Sequence, residues 1–161
     1  MTATLTTVRV DLPFATQRYR LTSVELTAGR LGADARELFS FGYCHYLTSA
    51  VHEATGWRLA VMQMSGVPAG RWRWVHTATY AGYCSHLLDV DGVQEREQIA
   101  SRYSSYLGYG LFRWAAMGWA DFAQAIGLTG DPQPSWWRST RLGRAAEPVI
   151  DSYVDQLVAA A

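Results

Sequence analysis

The stretch Gly42-Tyr43-Cys44-His45-Tyr46-Leu47-Thr48-Ser49-Ala50-Val51-His52-Glu53-Ala54-Thr55-Gly56-Trp57 decides how the rest of the chain is read. Tyr43, Leu47, Ala50, Val51 and Ala54 recur at the spacing of one helical face, and Gly56 supplies a stop. The helix therefore starts at Cys44, after a Gly-Tyr pair that gives the chain room to turn. The first turn of a helix leaves backbone N–H groups unpaired and favours negative charge, which stabilises a thiolate and can hold an oxyanion. Against this stands the common role of a free cysteine as a small buried hydrophobe.

Beyond Gly56 the period changes. Arg58–Met64 (RLAVMQM) reads as a buried strand, closed by the loop SGVPAG, and Trp72–Tyr80 (WRWVHTATY) is rich in the aromatic and β-branched residues of a pleated surface. A turn at Ala81–Gly82 leads into CSHLLDV as the returning strand of an antiparallel hairpin. Upstream, Leu5–Leu12 alternates and ends at Pro13, as a short strand or an arm laid on the domain, and Ala33–Phe39 is weakly helical. Downstream, Val93, Ile99 and Tyr103 mark one side of a charged helix, Leu107–Trp137 reads as a short helix with loops, and Pro148 should start or kink a terminal helix.

The hairpin supplies partners for the thiol. His76 opens the central run of the first strand, where it can act as base. Asp89 ends the returning strand, where it can orient the imidazole, with Asp91 as its competitor. Cys84 and His86 lie inside the predicted returning strand and fit packing better than catalysis. A zinc site from Cys44, His45, Cys84 and His86 is disfavoured because adjacent helical residues point apart, and His52-Glu53 lacks the second histidine of a zincin motif, since Gly56 stands there. No metal or other cofactor is expected.

The ordered motifs GYCHYLTSAVHEATGW, HTATY and LLDVDGV resemble a family of small, typically uncharacterised bacterial papain-like proteins, over about Phe41 to Tyr103. The resemblance implies a Cys44, His76, Asp89 triad in an α+β, papain-like or transglutaminase-like fold. The nucleophile helix would pack on a small antiparallel sheet, with further helices from the C-terminal third. It implies a cysteine hydrolase, whether protease, isopeptidase, amidase or deamidase, acting on a peptide or amide substrate. A transglutaminase-like acyltransferase or an effector or toxin using the same triad is the alternative, and a non-catalytic binding protein on that scaffold is the second. Tyr43, Trp72 and Trp74 are the candidate substrate-binding residues, and the tryptophan-rich segments, Trp136 and Trp137 included, are a candidate surface for a protein partner.

The totals bound these readings. With 161 residues, 49% hydrophobic and 17% charged, one domain over 1–161 is expected, its core at about 33–106 and a helical extension at 107–161. Fourteen basic and fourteen acidic residues leave no net charge, which removes the electrostatic footprint of nucleic-acid binding. No apolar run approaches the ~20 residues of a membrane span, and the N-terminus lacks a signal-peptide pattern, so a cytoplasmic protein with free thiols is expected. All fourteen basic residues are arginine. A GC-rich genome produces that bias, and so would an acyl-transferring enzyme that avoids modifying itself.

Overall fold

In the computed structural model, which describes residues 5–65, 71–82, 85–107 and 111–161, the helix begun at Cys44 lies against an antiparallel sheet. The chain runs β1 (Thr7–Asp11), β2 (Ser23–Thr27), α1 (Ala33–Ser40), α2 (Cys44–Thr55), β3 (Leu59–Ser65) and β4 (Trp72–Tyr80). It continues through β5 (Leu87–Asp89), β6 (Gly92–Gln94), α3 (Arg96–Leu107), β7 (Phe112–Met117), α4 (Trp119–Ala125), a 3₁₀ segment (Pro134–Ser139) and α5 (Arg141–Ala160). β1 and β2 form a two-stranded hairpin, and the five remaining strands lie in the order β6-β5-β4-β3-β7, each antiparallel to its neighbours. The architecture is α+β, with a small antiparallel sheet and several helices.

β3 shows why its sequence has no clean alternation. It sits between β4 and β7, and both of its faces are covered. Ala60 and Met62 pack with Phe41, Ile99 and Tyr103 on the α3 side, while Leu59 and Val61 pack with Phe122 of α4 on the other. The largest core cluster joins α1, α2, the β1–β2 hairpin and α5 through residues such as Leu26, Leu38, Leu47, Trp137, Ile150 and Tyr153. Burying each of the aliphatic side chains contributes about 1.5–3 kcal/mol. This core reaches outside 33–106, so the hairpin and the terminal helix are structural members and not additions.

One irregularity in β4 shapes the site. Met62 pairs with His76 and Gln63 pairs with Trp74, so Val75 has no partner in β3 and forms a bulge. A bulge reverses which face the following side chains take. Val75 accordingly packs with the α3-side cluster, whereas Trp74 packs with Leu59 and Val61 on the opposite side. Thr77, also on that side, meets Thr48 of α2 through a 2.9 Å hydroxyl hydrogen bond.

Several elements differ from the sequence expectation. β2 pairs with β1 over its whole length, where only a lone strand or arm is expected from the sequence. The returning strand is just Leu87–Asp89, and Val93 belongs to β6 and not to the helix. The stretch read as helix and loops contains β7, which pairs with β3 although none of its residues is buried. Pro148 lies inside α5 without ending it, on the exposed side of the helix. Cys84 and the greater part of the SGVPAG loop lie outside the described residues. No helix among the described residues is long and apolar enough to cross a membrane.

The start of α5 carries a sharp packing constraint. Thr140 caps it by accepting from the Gly143 N–H at 2.9 Å, and a Cβ built on Gly143 would stand 1.8 Å from the Trp137 carbonyl oxygen. Alanine is ordinarily the better helix former by ~1 kcal/mol. Here the sign reverses: Gly143→Ala is expected to destabilise the protein by about 2 kcal/mol or more, read as a lower midpoint in urea unfolding.

Candidate active site

Cys44 is the first residue of α2 because the link from α1 is only three residues long. The Phe41 N–H closes α1 on the Glu37 carbonyl, the Tyr43 N–H returns to Leu38, and Gly42 between them takes φ 146°, which side-chain-bearing residues rarely adopt. The turn delivers Cys44 to the helix N-terminus with only 3% of its surface exposed.

His76 arrives from β4 on the α3 side of the sheet, with no exposed surface. Its Nε2–H donates to Asp89 Oδ2 at 3.0 Å. Continued from Thr79↔Leu88, the ladder sets Asp89 opposite Ala78, diagonal to His76 and on the same face. Asp91 would fall opposite His76, but β5 ends at Asp89 and the chain turns into β6. Asp91 points instead to Arg36 and Arg102, and its own N–H donates to Asp89 Oδ1 at 2.9 Å. The sequence left these two carboxylates open as partners of His76; the register separates them.

Two further residues complete the arrangement. Arg102 of α3 donates to Asp89 Oδ2 at 3.1 Å, so the carboxylate is held from three directions. Burial opposes its charge, but His76, Arg102 and the Asp91 N–H outweigh it and hold the Asp89 carboxyl below the usual range. Tyr103 lies beside His76 with ring centroids 4.8 Å apart. Its hydroxyl donates to the Ser40 carbonyl at 2.5 Å and lies 2.8 Å from His76 Nδ1. Because the tyrosine proton goes to Ser40, Nδ1 must donate to the tyrosine oxygen. Both ring nitrogens then carry protons, and the imidazole is held as imidazolium.

The charges agree with that assignment. Burial pulls the His76 pKa down, yet the hydrogen bonds it gives to Asp89 and Cys44, and the charges of both, raise it to about 9. Burial pushes the Cys44 thiol up, and hydrogen bonds and positive charge from His45 and His76 bring it down to about 5. Between these values the resting site is a thiolate–imidazolium pair. His45, the next residue of α2, packs among aromatic rings and lies edge-on to Tyr46 at 5.0 Å. It is stacked on Trp136 at 5.6 Å and edge-on to Trp74 at 5.4 Å.

Cys44 opens onto a cleft of about 290 Å³ whose wall includes Gln17, Gly42, Trp74 and Tyr106. Of the three expected substrate-binding residues, only Trp74 lines it. Tyr43 is buried and pins the 12–22 loop, its hydroxyl donating to the Phe14 carbonyl at 2.9 Å and accepting from the Phe14 N–H at 3.2 Å. Trp72 lies under the Arg113 guanidinium, 4.0 Å from its ring centroid. Of the tryptophans, Trp137 is fully buried, and none is among the large exposed hydrophobic residues described. No cluster of three metal-ligating side chains occurs among the described residues.

Sequence reasoning missed Arg102, Tyr103 and Gln17. Arg102 and Tyr103 act across 13 and 27 residues of chain, and the helical pattern signalled only that Tyr103 is apolar-facing. No family model, curated protein or solved structure matches the chain.

Alkylation of Cys44 by iodoacetamide reads these charges directly. The rate should fall as pH drops through about 5, where the thiolate takes up its proton, and hold at neutral pH. Removing the imidazolium by His76→Ala should move that midpoint up by at least one unit. Tyr103→Phe should move it up by less, because the ring loses its acceptor at Nδ1 but keeps Asp89 at Nε2. It should lower unfolding stability by about 1–2 kcal/mol through the lost buried hydrogen bond.

Proposed function

We propose that this chain is a cysteine-dependent hydrolase of papain-like arrangement that cleaves a peptide or isopeptide amide through Cys44, His76 and Asp89. The observation that supports this most directly is the fully buried 3.0 Å hydrogen bond between His76 Nε2 and Asp89, beside a cysteine at a helix N-terminus. A packing role for the thiol leaves a buried ionic pair without purpose, since burying charge is costly unless it is used.

In this reading the Cys44 thiolate attacks the carbonyl carbon of an amide in the cleft. Negative charge moves to the carbonyl oxygen, where the N-terminal amides of α2 and the side-chain amide of Gln17 are the available donors. The His76 imidazolium gives its Nδ1 proton, until then shared with the Tyr103 oxygen, to the departing nitrogen, the C–N bond breaks, and an amine leaves behind a thioester on Cys44. The neutral imidazole then takes a proton from water, hydroxide attacks the thioester, and a carboxylic acid departs as the thiolate is restored. Asp89 keeps the ring oriented and stabilises its positive charge in both halves. An amine in place of water would make the same site an acyltransferase.

Hydrolysis of a quenched-fluorescence peptide library should be measurable and lost at least about 10³-fold in Cys44→Ala. The profile of kcat/KM against pH should be bell-shaped. It rises through about 5 as Cys44 ionises, and falls through about 9 as His76 loses the proton the leaving group needs. Asp89→Asn should lower kcat and move the upper limb down. If Cys44 alkylates like an unperturbed thiol, with a midpoint near ~8.5, and Cys44→Ala changes no activity, the reading is wrong.

A further inference from the structure

The cleft at Cys44 has a feature the hydrolytic mechanism does not use. Arg20 from the loop between β1 and β2, and Arg73 from β4, both line it, while no carboxylate does. Neither arginine forms an ion pair among the described residues. Arg18, Arg36, Arg102 and Arg138 do, each with Asp or Glu. In a chain with no net charge, two positive side chains are thus gathered on the wall facing the reactive sulfur.

Arg20 is moreover held in place at a cost. It is the sole non-glycine residue with positive φ among those described, at 57°. Its neighbours enforce this: the Tyr19 N–H donates to buried Glu37 at 2.7 Å, and the Leu21 N–H donates to the Thr16 hydroxyl at 3.0 Å. The Thr16 N–H returns to the Leu21 carbonyl at 2.9 Å. The same loop is pinned by Tyr43 at Phe14 and by the Tyr106 hydroxyl, which donates to the Gln17 carbonyl at 2.6 Å. Strain kept at a cleft by fixed neighbours is characteristic of a residue placed for binding.

We propose that the site takes a substrate bearing a carboxylate close to the reacting carbonyl, an acidic peptide residue such as Asp or Glu, with Arg20 and Arg73 as its binding partners. This rests on the hydrolase reading and adds its specificity. Guanidinium groups pair with carboxylates through parallel charge-assisted hydrogen bonds, and two of them in a concave wall raise the local concentration of anions. A cleft of about 290 Å³ has room for one or two residues, so the charge must lie near the scissile bond.

Paired alkylating agents test the proposal. Rates of Cys44 modification, followed by peptide mass at neutral pH, would be compared for iodoacetate, which is anionic, and iodoacetamide, which is neutral and nearly the same size. The iodoacetate to iodoacetamide ratio should fall about tenfold in the double variant Arg20→Gln, Arg73→Gln. It should also fall in the unsubstituted protein as salt is raised. Arg141→Gln, an arginine outside the cleft, should leave the ratio unchanged. A ratio insensitive to the double variant, or lowered as much by Arg141→Gln, overturns the anion site. Slow iodoacetamide labelling with an ordinary thiol titration would instead overturn the hydrolase reading, so the two failures are distinct.

Discussion

The arrangement around Cys44 depends on the buried hydrogen bond between His76 and Asp89. Neither residue could hold a charge alone at such depth, because desolvation would drive each toward its neutral form. Together, and with Arg102 at the rim and the Asp91 N–H behind, they form a chain of alternating charge in which each member justifies the next. Tyr103 closes the other side. It spends its own proton on the Ser40 carbonyl and can only accept at Nδ1, which favours the protonated ring. The imidazolium in turn favours a thiolate on the buried Cys44.

A second constraint is positional. The sulfur must meet a ring that arrives from a different part of the chain, and the short turn through Gly42 fixes it relative to α1. The long excursion between β1 and β2 is then tied to α1 through Glu37, to α2 through Tyr43 and to α3 through Tyr106. Side chains that look like surface aromatics in the sequence are therefore the fasteners of the cleft wall. This is why Tyr43, conspicuous beside the cysteine, is structural, while Gln17 and Arg20, inconspicuous in a turn, line the same cleft as Cys44.

What could be read from the sequence follows from the range of the interactions. The α2 helix and β4 were legible because each announces itself within a dozen residues, by helical spacing and by aromatic and β-branched content. Pairing His76 with an aspartate was legible because a hairpin is a local device. Choosing Asp89 over Asp91 needed the register, which the sequence leaves open by two residues. β7 was not legible: its strand is specified by the exposed edge of β3 more than by its own residues, and FRWAAM carries no strong period. Arg102 and Tyr103 belong to a helix whose pattern indicates a buried side but not the residue waiting there.

The bulge at Val75 gives β4 two reading frames. On the C-terminal side of it, alternate residues deliver His76 toward α3; on the N-terminal side, the same parity would send Trp74 there too, and the extra residue sends it to the helix side instead. His76 and Trp74, two residues apart on one strand, are thereby placed on opposite faces of the sheet. Inserting or deleting one residue between Trp72 and His76 exchanges the phases, and puts a wall residue where the opposite face is built. For this segment, length is a stricter specification than composition.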